Sequence, residues 1–245
     1  MKECRVYGIS LPDAYHNALL DLDLWGEELP CPDYNTKQKE VSMTMVVAEP
    51  LAEPMISKFM IAGPKELEQY RQEMLDGILD FEIERGKWPY TYHDRIAWQI
   101  PFVVQELKRN PHSRRAAIDV RSPRDMISDD PACLQHLQFF VRDGKLHLKV
   151  LFRSNDACKA TFMNAFALVM LQKRIADELG VGMGTYTHRA NSFHCYEKDY
   201  GLLDGYVRRY TSGERSTYYY AGEWDELMEE AKPEIAKMVA ELKGE

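Results

Sequence analysis

Residues 134–152 read LQHLQFFV-RDGK-LHLKVLF, and this stretch decides the fold. Two β-rich runs flank Asp143-Gly144, a dipeptide that suits a type I′ turn, in which both central residues need positive φ. Leu146, Leu148 and Val150 alternate with His147 and Lys149, so one face of the predicted hairpin is buried. The next segment supplies a cover for that face. Residues 161–179 (TFMNAFALVMLQKRIADEL) are apolar almost all round, the mark of a buried helix, and Gly180 closes it.

Outward from this core, residues 11–25 read as a helix started by Leu11-Pro12. Residues 29–40 are polar and proline-bearing and read as a loop, and 41–48 as a strand. Pro64 opens one long predicted helix that Gly86 ends, with Leu67, Tyr70, Met74, Ile78 and Phe81 at helical spacing. A helix over 94–109 carries Pro101 early, where a kink is expected. A short strand is predicted at 116–120 and another near 184–190, then helices near 195–210 and 222–242. Helices and strands mix without strict βαβ alternation. The reading is a single α+β domain over residues 1–245, with a mixed or antiparallel sheet.

The chain has 245 residues, with 39 acids against 31 bases and a formal charge of −8. A net acidic chain is ill suited to general nucleic-acid binding, which relies on neutralising phosphates. No run of 18 apolar residues predicts a membrane-spanning helix, and charges near the N-terminus argue against a signal peptide. The five cysteines are odd in number and form no CxxC pair, so a reducing cytoplasm is expected and a structural zinc site is not. No phosphate-binding glycine loop appears.

Cys133 stands at the mouth of the first hairpin strand, after Asp129-Asp130-Pro131-Ala132. Most lone cysteines are small buried hydrophobes, whereas a nucleophile needs positive neighbours to hold its thiolate. Arg114-Arg115 and Arg153 are the cations on offer, and arginine also binds phosphate bidentately. A surface salt bridge is the plainer role for each. Arg153-Ser154-Asn155-Asp156 packs hydrogen-bonding groups at an element boundary, as a helix cap also would. His194 and Tyr196 share a face if the segment is extended. No third ligand at metal spacing accompanies them.

Together these pieces resemble the thymidylate synthase family, nearest its archaeal-type branch. The resemblance rests on DPACLQHLQFFVRDGKLHLKVLFRSND at 130–156, the SRR at 113–115, Asn164 and HCY at 194–196. SLPDA, PLAEPMISK, EMLDGI and YTYHDR upstream are similar as well. It implies a thymidylate synthase-like fold, a large curved sheet flanked by helices. It implies that Cys133 adds to C6 of a pyrimidine, which makes C5 nucleophilic toward a one-carbon iminium. Arg114 and Arg115 match a phosphate-binding pair that reaches into the partner subunit's site, so a homodimer with shared sites is expected. Arg153 and Ser154 match phosphate ligands within the subunit, and Asn164 the reader of the base edge. His194 and Tyr196 match the sugar-hydroxyl pair. Asp156 matches the folate-binding aspartate, Glu73 and Tyr92 the proton-transfer residues, and Gln138 a buried polar residue near the nucleotide.

The expected partners are therefore a pyrimidine nucleoside monophosphate and 5,10-methylenetetrahydrofolate, with no metal and no membrane. An asparagine amide pairs with N3–H and O4 of uracil together, so uracil is favoured over cytosine. The leading expectation is methylation of dUMP to dTMP. The alternative is a pyrimidine nucleotide 5-hydroxymethylase, in which water takes the exocyclic methylene. A nucleotide-binding protein without catalysis is the third reading. Residues 159–163 (KATFM) depart from the run that lines the folate pocket in common synthases, Ser192 stands for an aspartate, and His93 stands where a glycine is usual. The C-terminal residues are not the apolar tail that closes over folate. The flexible phosphate-clamping arginine has no match, and Lys37 or Lys39 is the expected substitute.

Overall fold

A computed structural model describes residues 1–244. In chain order its strands are β1 (Glu3–Gly8), β2 (Glu27–Cys31), β3 (Thr36–Val47), β4 (Ile56–Ser57), β5 (Ala117–Asp119), β6 (Leu134–Arg142), β7 (Lys145–Asp156), β8 (Gly182–Tyr196) and β9 (Thr217–Tyr218). Its helices are α1 (Leu11–Trp25), α2 (Pro64–Asp76), α3 (Phe81–Glu84), α4 (Tyr92–Ala97), α5 (Ile100–Arg109), α6 (Thr161–Leu179), α7 (Tyr200–Thr211) and α8 (Asp225–Lys243). Seven strands form a mixed sheet in the order β1-β3-β8-β7-β6-β5, with β2 also on β3. The β1/β3 and β7/β8 pairs are parallel, and the other pairs of this sheet are antiparallel.

The hairpin forms as its sequence predicts, with Asp143 at φ 51° and Gly144 at φ 70°. Leu146, Leu148, Val150 and Phe152 are buried, alternating with half-buried or exposed neighbours. Helix α6 packs on that face, with Phe162, Phe166, Leu168 and Val169 all buried. Burying each phenylalanine stabilises by roughly 2–3 kcal/mol, more than any helix propensity in the segment contributes. Its one fully buried amide, Gln172, donates to the Leu146 carbonyl at 2.7 Å and so pins helix to hairpin. Helices α1, α5 and α7 join this layer, and among the described residues no helix is long and apolar enough to cross a membrane.

Several expectations are corrected. Residues 29–40 are not a loop: β2 ends at Cys31, and β3 starts at Thr36. The polar run Gln38–Glu40 pairs with β2 on one side and with Cys195 and its neighbours on the other. Pairing on both sides satisfies the backbone whatever the side chains are. The long helix after Pro64 breaks at Gly77, whose φ of 65° ends α2. The 94–109 helix is two, and Pro101 lies in the first turn of α5, where no hydrogen bond is lost. The strand at 184–190 runs on to Tyr196, so the last-but-one helix starts only at Tyr200. Strand β1, with Cys4 and Val6 inward, was not anticipated.

A methyl group built on Gly77 would lie 2.2 Å from His93 Nδ1 and 2.6 Å from Asp80 Oδ2, whereas one on Gly86 (φ 69°) meets nothing. Gly86→Ala therefore costs only the left-handed backbone penalty, about 1 kcal/mol, and Gly77→Ala about 2–4 kcal/mol. Urea unfolding of both variants measures the difference, and equal losses would show that the His93–Asp80 contact does not hold this turn.

Candidate functional site

The loop before β6 is held by one residue of β7. The Arg153 backbone N–H donates to the Cys133 carbonyl at 2.8 Å. Its guanidinium donates from Nε to the Ala132 carbonyl (3.1 Å) and from Nη2 to the Pro131 carbonyl (2.6 Å). Cys133 is half-buried. Burial pushes its thiol pKa up, the Arg153 charge pulls it down, and Asp130 raises it. The thiol is thus at the end of a strand beside a cation and not in the apolar interior.

Tyr92 lies against the same loop, where its hydroxyl accepts from the Leu134 N–H at 3.3 Å. Its neighbours fix it: Asp80 accepts from Thr91 Oγ1 (2.5 Å) and pairs with His93 Nδ1 (2.6 Å). Burial raises the Tyr92 phenol well above its usual range. A cavity of about 290 Å³ opens beside it, lined by Tyr70, Glu73, Met74, Trp88 and Tyr90 among others. Burial raises the Glu73 carboxyl, against the opposing hydrogen bond from Gln69 Nε2 at 2.8 Å. The Tyr70 hydroxyl donates to Asn164 Oδ1 on α6.

The ends of β7 and β8 run side by side in parallel, Ser154 beside Ser192 and Asp156 beside His194. Ser154 Oγ lies 3.4 Å from His194 Nδ1, and the Tyr196 ring meets the His194 ring edge-on at 4.8 Å. His194 Nε2 is buried with no hydrogen-bond partner among the described residues. A buried ring nitrogen left so is costly unless a water or a ligand reaches it. Burial lowers the His194 pKa, so the ring is neutral and a hydroxyl partner suits it. Asp156 Oδ1 accepts from the Cys158 and Lys159 N–H groups at 3.0 and 2.9 Å, which shapes the turn into α6. Between them Asn155 faces inward, accepting from Thr161 Oγ1 (2.9 Å) and His188 Nε2 (2.8 Å).

Tyr92 and Glu73 line the cavity, Cys133 and Arg153 belong to the loop that Tyr92 touches, and Asn164 meets the cavity wall through Tyr70, with Ser154, Asp156, His194 and Tyr196 at the ends of β7 and β8. Arg114 and Arg115 do not join them. Both are exposed on the segment before β5, and Gln138 donates to the Arg114 carbonyl at 3.0 Å. Gln138 is five residues along β6 from Cys133, about 17 Å away. It is half-buried and fastens the arginine segment; it does not face the cavity. Lys37 and Lys39 are strand residues, paired with Glu28 (2.9 Å) and Asp23 (3.4 Å), so neither is free in a loop. Lys159 pairs with the buried Asp199 at 2.6 Å. Among the described residues no three His, Cys, Asp or Glu side chains gather in metal-holding geometry. Sequence reading placed Tyr70 only on an apolar helix face. Its position one turn before Glu73 on α2 was the available signal.

A family model described as thymidylate synthase matches residues 68–227. A Methanocaldococcus jannaschii protein described as "Putative thymidylate synthase" is 33% identical over 202 residues, covering 78% of this chain and 90% of that protein. The thymidylate synthase of Bacillus subtilis subsp. natto is 32% identical over 135 residues, 54% of this chain and 47% of that one. Among solved structures, thermostable thymidylate synthase A from Bacillus subtilis superposes with a TM-score of 0.67 at 18% identity, covering 86% of each chain.

The charges around Cys133 set opposite shifts. Removing the Arg153 cation in Arg153→Gln moves the thiol pKa higher, and removing the Asp130 charge in Asp130→Asn moves it lower. The pH profile of iodoacetamide alkylation at Cys133, followed by peptide mass spectrometry, reads both. Shifts in the same direction would contradict this electrostatic picture.

Proposed function

Because the chain belongs to the thymidylate synthase family, a family of one-carbon transferases, we propose that it methylates C5 of dUMP with 5,10-methylenetetrahydrofolate, releasing dTMP and dihydrofolate. One observation carries this reading: the arginine-clamped Cys133 loop and Asn164 border a single cavity, through Tyr92 and Tyr70 respectively.

In this reading the Cys133 thiolate forms a bond to C6, and the electron pair moves through C5 to O4. Asn164 donates to O4 and accepts from N3–H. Arg153 has five N–H donors and uses two on the loop carbonyls, which leaves donors for the phosphate together with Ser154. His194 and Tyr196 take the sugar hydroxyl. The C5 carbanion attacks the folate iminium, with Asp156 on the pterin. Tyr92 assists removal of the C5 proton, whose electron pair forms the exocyclic C5=CH2 bond as the carbon–nitrogen bond to the folate breaks; Glu73 serves the proton transfers at the base, a role that suits a carboxyl raised by burial. Hydride from the folate then reduces the exocyclic methylene, and the thiolate leaves.

A homodimer completes the site. The sheet face away from the helices carries half-buried Val46, Thr187 and Leu151 and the exposed Tyr7. That surface is open to a second copy of the sheet, in an isologous contact. Arg114 and Arg115 lie far from their own chain's Cys133, as residues donated to a partner's site would.

Three experiments test these readings. With 5-fluoro-dUMP and methylenetetrahydrofolate, intact mass should show a covalent adduct on the wild type and none on Cys133→Ala. With dUMP as substrate, absorbance at 340 nm should report dihydrofolate. Tetrahydrofolate with a 5-hydroxymethyl nucleotide would instead establish the hydroxymethylase. Cys133→Ala and Arg115→Ala proteins, each inactive, should regain up to about a quarter of wild-type activity when refolded together. No recovery would exclude shared sites.

A further inference from the structure

The Tyr70 hydroxyl has one side-chain partner among the described residues, Asn164 Oδ1, and the Asn164 amide has no other side-chain partner. Tyr70 sits on α2 in the cavity wall and Asn164 on α6, so this contact ties α6 to the cavity wall. We propose that Tyr70 is a specificity-positioning residue: its hydroxyl fixes the Asn164 carboxamide in the orientation that reads uracil and rejects cytosine. The inference rests on the nucleotide reading above and extends it.

An asparagine amide has two nearly equivalent orientations about its terminal torsion. Uracil needs an acceptor opposite N3–H and a donor opposite O4. Cytosine needs the reverse, a donor opposite N3 and an acceptor opposite its 4-amino group. A freely turning asparagine satisfies either base and discriminates poorly between them.

The phenol removes that freedom through its single proton. Burial raises the Tyr70 pKa well above its usual value, so the hydroxyl keeps its proton and remains a donor. With Oδ1 facing it, the proton is paired. Oδ1 has a second lone pair for the base N3–H, while Nδ2 remains free to donate to O4. Turning the amide over would present Nδ2 to the hydroxyl. The oxygen could accept that bond, but its own proton would lose its acceptor. A base seated against Asn164 excludes the water that would otherwise take the proton. An orphaned donor in such a place disfavours the flipped state by about tenfold or more. In the locked orientation cytosine meets acceptor against acceptor and donor against donor.

Isothermal titration of the full chain with dUMP and with dCMP tests this, using wild type and Tyr70→Phe. The ratio of the dCMP Kd to the dUMP Kd should fall about tenfold in Tyr70→Phe, chiefly through tighter dCMP binding, with the dUMP Kd within about threefold. The Asn164→Asp background separates the lock from ring packing. A carboxylate has no donor end to turn, so adding Tyr70→Phe there should leave the ratio unchanged. An unaltered ratio in the single variant with dUMP binding intact would overturn the inference, and so would an equal fall in the Asn164→Asp background. If wild type binds neither nucleotide, the nucleotide reading itself fails and this inference with it. The urea midpoint of each variant confirms that it is folded.

Discussion

The arrangement around Cys133 depends on one guanidinium donating to two main-chain carbonyls. Arg153 holds the Pro131 and Ala132 carbonyls by its side chain and the Cys133 carbonyl by its backbone N–H. Charge-assisted bonds of this kind are each about twice as strong as neutral ones. They tie a loop end to β7, which also carries Ser154 and Asp156. The position of the thiol and the position of the adjoining polar groups are therefore one variable. The same cation opposes the burial that would otherwise keep the thiol protonated.

Beneath that surface lies a second, inward-facing set of polar contacts. Side chains alternate along a strand, so Asn155 can face the core only while Ser154 and Asp156 face the other way. Asn155 accepts from Thr161 at the start of α6 and from His188 on β8, and Tyr186 completes the chain at His188 Nδ1 (2.9 Å). Burial lowers the His188 pKa to about 3, so the ring is neutral, and donation from Nε2 leaves Nδ1 to accept from Tyr186. Every member is paired, the condition under which a buried polar network stiffens a fold and does not weaken it. The strand pair β7/β8 and helix α6 thus meet at a fixed registry where the candidate residues emerge.

Much of this was legible in the chain because the signals were local. The Asp143-Gly144 turn, the alternation through Val150 and the apolar girth of residues 161–179 each follow from a short-range rule, and each element forms where expected. The residues from 29 to 40 were misread because strand β3 is made by its neighbours. Lys39 and Glu40 have poor strand propensity, and pairing with both β2 and β8 overrides it. Gly77 was passed over because helical spacing continues across it. For the site, the cysteine, the RSND run and the HxY pair were visible as motifs. For Gln138 the motif gave a sequence position only, and the strand face it takes, with its amide on the Arg114 carbonyl, is set by the pairing of β6. Tyr70 was missed because an aromatic residue on a helix face reads as packing until its partner on α6 is known.

The departures at residues 159–163 bear on the last chemical step. Hydride transfer to an exocyclic methylene succeeds only where water is kept away from that carbon, and water attack gives the hydroxymethyl product. A free lysine in that run would invite water. Lys159, however, directs its charge to Asp199, itself buried, and its own backbone N–H bonds Asp156. Phe162 beside it is buried, and Met163 packs against the core. None of residues 159–163 lines the cavity beside Tyr92, whose walls carry Trp88, Leu79 and Met74 together with Glu73 and Asp130. An ammonium already paired with a carboxylate carries less of a hydration shell into the space beside it than a free one does. On the proposed reading the departures therefore add no free charge beside the cavity, and the balance between reduction and hydration would rest on how completely a bound folate covers those three apolar side chains.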